Sequence, residues 1–184
     1  MEEHYLRGLT HTDDPGTLLR DLMQTYGNEV WSYAYVLTGQ REAADDLSQD
    51  VFLSAYRNLA GFRGDSSVRT WLLRITRNAC FNFRRASFFR RTVLHAWIAS
   101  KERHRSAEDE ALQRMELQQV WASVMALSPK LREALVLEAH YQLSYREIAQ
   151  LLGISEGTVK SRIHRARAKL KANTATDDEE GMRS

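Results

Sequence analysis

The stretch LSYREIAQLLGISEGTVKSRIHRARAKL, residues 143–170, holds two helix starts and the stop between them. Ser144 and Glu147 stand three apart just before the apolar positions Ile148, Leu151 and Leu152, the spacing of a capping box, in which each side chain satisfies the other residue's free backbone N–H. Gly153 supplies the left-handed residue that closes such a helix. Ile154 turns inward, Ser155 caps a second helix, and Ala149, four residues before Gly153, is small enough for the two helices to cross closely. The pattern predicts a helix-turn-helix.

In the second of these helices Val159, Ile163, Ala166 and Leu170 recur at spacings of four, three and four, which turns them inward. Lys160, Arg162, His164, Arg165, Arg167, Lys169 and Lys171 face out, with Ser161 opposite the apolar stripe. Residues 158–171 hold six Lys and Arg and no acid, a local +6. A helix of this kind suits the major groove of duplex DNA, its cations reaching phosphates or guanine edges and Ser161 lying close to the bases. An inert cationic helix would not need capping, loop glycine, close crossing and charge to coincide.

Outward from this stretch, the rest of the chain is also helical in pattern. Only 2 Pro and 9 Gly in 184 residues leave few breakers and favour long helices over strands with tight turns. Leu18, Leu22, Tyr26, Val30, Tyr33/Ala34 and Leu37 mark one buried stripe ending near Gly39. A second periodic segment, 41–59, carries Leu47, Val51/Phe52, Ala55/Tyr56 and Leu59 on one side, and its first half is acidic, −3 over residues 41–50. Acid there also complements the helix dipole. The loop GFRGDSS, 61–67, leads into a helix expected over 68–88. Between Phe88 and Ala107 the pattern loosens around Val93, Leu94, Trp97 and Ile98, as in a linker with one docking turn. Leu112, Met115, Val120, Val124 and Leu127 resume the helical spacing, and Ser128-Pro129 caps and opens the helix 130–139. Asp177 to Glu180 contribute −4 to a polar tail expected to be disordered.

The segment after the acidic helix has the opposite charge. Residues 57–91 carry nine Arg against Asp65 alone, a local +8, with Phe62, Trp71, Phe81, Phe83, Phe88 and Phe89 interleaved. Arginines track a phosphate backbone while aromatic faces stack unpaired bases, so single-stranded or opened nucleic acid is the partner this composition implies. Trp71, Phe81 and Phe83 are read as core-building, because a small helical domain needs aromatics inside. The Gly64-Asp65-Ser66-Ser67 loop has the backbone freedom and short polar side chains for a pocket that holds an extruded base.

Other classes lose ground. No Walker-type glycine loop and no nucleophile elbow is present, and the six scattered His with the single Cys80 give no zinc-ligand spacing, so neither catalysis nor a metal or other cofactor is expected. Cys80 lies mid-helix beside Phe81, the setting of a buried inert thiol. One cysteine makes no internal disulfide, the N-terminus MEEHYLRGLTHTDD is polar and acidic, and no apolar run of membrane-spanning length occurs. A cytoplasmic protein is the expectation.

Taken in order, AADDLSQDVFLSAYRNLAGF (43–62), FRGDSSVRTWLLRITRN (62–78) and the stretch at 143–170 resemble the extracytoplasmic-function (ECF) group of bacterial σ70-type sigma factors, which keep only regions 2 and 4. The resemblance spans roughly residues 16–172. It implies an all-α fold of two small domains: a flexible N-terminus 1–14, region 2 over 15–90, a flexible linker 91–109, a helix-turn-helix region 4 over 110–172, and a disordered acidic tail 173–184. It further implies a non-enzymatic promoter-specificity subunit of RNA polymerase that recognises −35 and −10 elements and melts DNA. Asp46, Leu47, Gln49, Asp50 and Phe52 are then assigned to the β′ clamp helices of the core enzyme. Phe62, Arg63, Gly64, Asp65, Ser66, Ser67, Trp71, Arg74, Arg77 and Asn78 fall to the −10 element. Ser155, Thr158, Lys160, Ser161, Arg162, His164, Arg165 and Arg167 fall to the −35 element, His164 standing where members often carry an aromatic. The helices around Leu131 to Tyr141 would meet the β flap, and an anti-sigma factor, often membrane-anchored in this family, would cover the polymerase-binding surfaces. The family's setting is stress-responsive transcription.

The competing reading is a stand-alone helix-turn-helix transcriptional regulator that binds a palindromic duplex without polymerase. It leaves the +8 segment and the acidic helix without a role.

Overall fold

A computed structural model of the chain describes residues 15–62, 64–93 and 120–181, and the regular structure among them is entirely helical. The chain divides into two compact units, 1–95 and 96–184.

The first unit is built on three helices, α1 (Pro15–Thr38), α2 (Arg41–Asn58) and α3 (Val68–Val93), with a 3₁₀ turn, Leu59–Gly61, after α2. Gly39 takes φ +72° between α1 and α2, and its N–H donates to the Tyr35 carbonyl at 2.8 Å, closing α1 in the way a left-handed terminal residue does. Both α1 and α2 pack on α3 as well as on each other. The stripe read on α1 is buried at Leu18, Leu22, Val30, Tyr33, Ala34 and Leu37. It meets Val51, Phe52 and Ala55 of α2 and Val68 and Leu72 of α3. Burying a large aliphatic or aromatic side chain contributes roughly 1.5 to 3 kcal/mol, so this cluster carries the unit. Polar ties hold the same three helices in place: Trp31 Nε1–H donates to Asp45 Oδ1 at 2.6 Å, and Arg69 pairs with Glu29.

The helix expected over 68–88 continues to Val93. No Gly or Pro interrupts 68–93, and once nucleated a helix gains a hydrogen bond for each residue added. The first three residues assigned to a linker are therefore helical, and the remainder, 94–109, lies outside the described residues, as do residues 1–14.

In the second unit, residues 120–126 are helical. They are followed by α4 (Pro129–Ala139), α5 (Tyr145–Leu152) and α6 (Glu156–Gly181). Pro129 opens α4 as read, and Ser128 stands at the N-cap position but its side chain makes no capping bond. Leu131 to Leu137 are buried without exception, and α4 packs on α6, as does α5. Arg132 is buried among them because its Nη1 donates to the Met125 carbonyl at 2.7 Å, tying 120–126 to α4. Val159, Ile163 and Ala166 form the buried stripe of α6.

Two expectations change in this unit. Val120, read as part of an apolar stripe, is 61% exposed, and its neighbour Trp121 is 39% exposed, while Leu112 and Met115 lie outside the described residues. The tail read as disordered from residue 173 is instead helical through Gly181, and residues 182–184 lie outside the described residues. Between Gly157 and Gly181 no Gly or Pro stops propagation, and Ala172 and Ala175 are strong helix formers, which outweighs the polar composition.

Candidate nucleic-acid interface

In the second unit both bonds of the capping box form. The Glu147 N–H donates to Ser144 Oγ at 3.3 Å, and the Ser144 N–H donates to Glu147 Oε2 at 2.8 Å. The Ser144 hydroxyl adds a bond of 2.6 Å to the same carboxylate oxygen. The Ser144 side chain first, and its backbone second, hold the Glu147 carboxyl below the ordinary carboxylate range against a smaller opposing effect of burial. Gly153 ends α5 at φ +67°, with open space where a Cβ would stand, so only backbone conformation restricts that position. Ser155 then caps α6 by accepting from the Thr158 N–H at 3.2 Å, and the two hydroxyls lie 2.9 Å apart.

This chemistry sets the angle at which α6 leaves the turn. Its outward arc carries Lys160, Ser161, His164 and Arg165, all exposed, with Arg162 half-buried at the edge. Arg165 Nε donates to the Ser161 carbonyl at 3.2 Å and its Nη2 to Ser161 Oγ at 3.1 Å, so serine and guanidinium form one preorganised donor group. Arg167 is held differently, Nη2 donating to both Glu138 carboxylate oxygens at 2.8 Å. That contact fastens α6 to the end of α4.

In the first unit, Arg74, Arg77, Asn78, Phe81, Arg84 and Arg85 share one face of α3 at spacings of three and four. Phe81 sits at its centre, 41% exposed, with the Arg77 guanidinium 4.6 Å from its ring centroid. No acidic residue occurs anywhere in α3. The opposite charge occupies α2, where Glu42, Asp46, Gln49 and Asp50 are exposed on one face together with Leu53 and Tyr56. Among the described residues no cluster of His, Cys, Asp and Glu could hold a metal ion, and no helix is long and apolar enough to cross a membrane.

Residues 22–88 match the family described as Sigma-70 region 2, and residues 117–170 match Sigma-70, region 4. The chain is 33% identical over 164 residues to the RNA polymerase sigma factor YlaC of Bacillus subtilis, covering 88% of this chain and 95% of that protein. It is 31% identical over 162 residues to the ECF RNA polymerase sigma factor SigM of the same organism, covering 86% and 98%. The chain belongs to the ECF RNA polymerase sigma factors. Solved structures agree: the sigma factor RpoE of Bartonella quintana, in complex with the anti-sigma factor NepR, has 25% identity and a TM-score of 0.72 over 86% of this chain and 97% of that one. CnrH, in complex with the cytosolic domain of CnrY, has 28% identity and a TM-score of 0.68 over 96% and 99%.

With this ECF sigma factor's two regions in view, the residues taken from the family resemblance separate by exposure. Asp46, Gln49 and Asp50 are on the surface of region 2, but Leu47 and Phe52 are 6% and 3% exposed and belong to its core. They lie on the inner arc of α2, and the apolar groups beside the exposed acids are Leu53 and Tyr56. In the −10 set, Arg74 and Asn78 are exposed, Arg77 is half-exposed, and Gly64 and Asp65 are exposed on a loop bent by Gly64 at φ +77°. Ser66 is half-buried, and Ser67 is engaged as the cap of α3, its Oγ accepting from the Thr70 N–H at 3.1 Å. Phe62 and Trp71 pack on each other at 5.0 Å between ring centroids, against the region 2 core. Arg63 lies outside the described residues.

Phe81 reverses its reading, since it is on the surface while Trp71 and Phe83 are half-buried. Its helical phase with Arg74, Arg77 and Asn78 was a signal available in sequence. Of the −35 set, Ser155 and Thr158 are spent on capping, Arg167 on Glu138, and the others stand on the outward arc of α6. Around the β-flap assignment, Leu131, Leu135 and Leu137 are buried within region 4, as is Tyr141. Trp121 is the exposed aromatic nearby, its ring centroid 6.3 Å from that of His140. Cys80 is a buried free thiol.

Proposed function

We propose that this sigma factor divides its work among three helix faces. The α2 face of Asp46, Gln49, Asp50, Leu53 and Tyr56 docks on a basic surface of core polymerase. The α3 face of Arg74, Arg77, Asn78, Phe81, Arg84 and Arg85, with the Gly64-Asp65-Ser66 loop, holds the −10 strand as it opens. The α6 arc of Lys160, Ser161, His164 and Arg165 reads the −35 major groove. Val120 and Trp121 supply an apolar contact for the β flap. The observation that carries this reading is the charge separation between neighbouring helices of one small unit: α3 lacks any acid, and α2 starts with a cluster of them. A regulator acting on duplex DNA alone has no use for both.

Melting needs no catalytic group in this scheme. Unstacking a base costs a few kcal/mol, and capture in a polar loop or on an aromatic face offsets that cost. The chain is accordingly a binding subunit in the cytoplasm. An anti-sigma protein covering the α2 face would silence it, in keeping with the complexes in which RpoE and CnrH were solved. By this reading region 2 runs from residue 15 to the end of α3 at Val93, and region 4 from residue 110 through α6.

Mixing the purified chain with core polymerase tests the reading by gel filtration and by gel shift on duplex DNA. Co-elution with core, and promoter binding only when core is present, support it. A palindromic duplex bound tightly by the chain alone supports the stand-alone regulator instead.

A further inference from the structure

The first turns of α2 hold Glu42, Asp45, Asp46 and Asp50 and a single cation, Arg41, the only one before Arg57. A cation at a helix start opposes the helix dipole. Arg41 is next to Glu42 and one turn from Asp45, the spacing at which side chains of opposite charge meet on a helix. Yet among the described residues no ion pair joins it to an acid. Its guanidinium carbon lies 5.8 Å from the centroid of the Trp31 ring on α1, within the roughly 6 Å at which a cation is attracted to an aromatic face. Trp31 is itself fixed twice. Its ring stacks on Tyr35 at 5.5 Å with the planes 10° apart, and its Nε1–H donates to Asp45 Oδ1 at 2.6 Å. The indole thus comes between two residues of α2 that could pair with each other, taking the guanidinium on its ring and the carboxylate on its N–H.

We propose that Trp31 is a positioning residue for core docking: its ring holds Arg41 against α1 and so keeps the acidic face of α2 clear of its one nearby cation. The inference rests on the reading of that face as the docking surface. Arg41 and Asp45 stand on the edge of α2 next to α1, while Glu42, Asp46, Gln49 and Asp50 lie roughly 80° to 180° further round the helix. Glu42, Asp46 and Asp50 are exposed there, three carboxylates of one sign. A guanidinium released from Trp31 would swing to Glu42 and cancel one of them. Charge of a single sign at the rim of a docking face mainly sets how fast an oppositely charged partner is captured. Trp31 therefore acts through Arg41 on the rate of association, without touching core polymerase itself. Asp45, although acidic and exposed, serves this arrangement by anchoring the indole.

The test measures association of the full chain with core polymerase by stopped flow at several salt concentrations, with helicity checked by circular dichroism. Trp31→Leu is expected to slow association roughly two- to fivefold at low salt, the weight of one exposed ion pair. The difference should shrink as salt screens the face. Trp31→Phe keeps a ring for the guanidinium but has no N–H for Asp45, and is expected to associate at the wild-type rate. Adding Arg41→Gln to Trp31→Leu is expected to restore the rate, a coupling that loss of packing alone does not produce. A double variant as slow as Trp31→Leu, or Trp31→Phe as slow as Trp31→Leu, would overturn the positioning role, because Trp31 would then act only through the fold. So would a wild-type rate in a folded Trp31→Leu chain. Arg41→Gln alone changes an exposed side chain and leaves Trp31 intact. It is expected to keep the rate within about twofold of wild type, and severalfold faster association would show that Arg41 already neutralises the face, which overturns the proposal even if Trp31→Leu does not fold. If Asp46→Lys with Asp50→Lys leaves core affinity unchanged, the docking reading itself fails and the role of Trp31 falls with it.

Discussion

Ser144 is a small residue with a large lever, because the bonds it exchanges with Glu147 fix where α5 begins and hence how the turn presents α6. Ser144→Ala should cost about 1 kcal/mol of region 4 stability, read from urea unfolding of the full chain. The pH dependence has a definite sign. The Glu147 value is depressed in the folded state by Ser144, so the contribution is present above the unfolded carboxylate's value of about 4.3 and is lost as pH falls through the lower folded one. The gap between wild type and Ser144→Ala should therefore close in acid. Phe81 makes the second residue-scale prediction. Phe81→Leu keeps an apolar side chain but loses the stacking face, worth roughly 1 to 3 kcal/mol per base, and should slow promoter opening about tenfold or more, while Phe81→Trp retains it. A 2-aminopurine probe in the −10 strand reads this as quenching that persists with Trp and is lost with Leu. Equal opening by Leu and Trp variants would remove Phe81 from the interface. Composition alone put Phe81 in the core, because it counts aromatics without asking which way they point; its phase against Arg74, Asn78 and Arg85 points it outward.

At the scale of elements, hydrophobic period and capping chemistry carried nearly everything. The helix-turn-helix was legible because Ser144, Glu147, Gly153 and Ser155 each act through the local backbone, which a sequence displays directly. Helix ends were less so: α3 and α6 run past the limits composition implied, since propagation depends on the absence of breakers and little on polarity. On α2, the family pattern mixes surface and interior, and only packing separates Asp46 and Asp50 from Leu47 and Phe52. Charge reversal makes that separation testable. Asp46→Lys with Asp50→Lys should leave helicity by circular dichroism unchanged, because both side chains are exposed, and should lower affinity for core polymerase at least tenfold. Leu53→Ala should weaken the same complex, whereas Leu47→Ala should act by destabilising region 2 by about 2 to 5 kcal/mol. Core binding unaffected by the double charge reversal would mean that the acids of α2 serve only its dipole.

For the whole molecule, a formal charge of +2 hides a division of labour. Cationic stretches of +8 at residues 57–91 and +6 at 158–171, one in each unit, are offset by −3 in the acidic helix at 41–50, −4 at 177–180 and −5 elsewhere. A polymerase-dependent DNA binder needs that arrangement, since it must be drawn to phosphates only weakly until core polymerase is in place. Salt sensitivity should accordingly be modest for the free chain and steep for the holoenzyme. The order of the units, region 2 before region 4, was legible from motif order, whereas their partners were reached only through family resemblance, because no single chain displays the surface it docks on. Run-off transcription tests the account most directly, with core polymerase, the purified chain and a pool of promoter-length duplexes. The prediction is selective initiation at sites that share two short elements at a fixed separation, lost when either the chain or core is omitted. Transcription that is no more selective than core alone would contradict it.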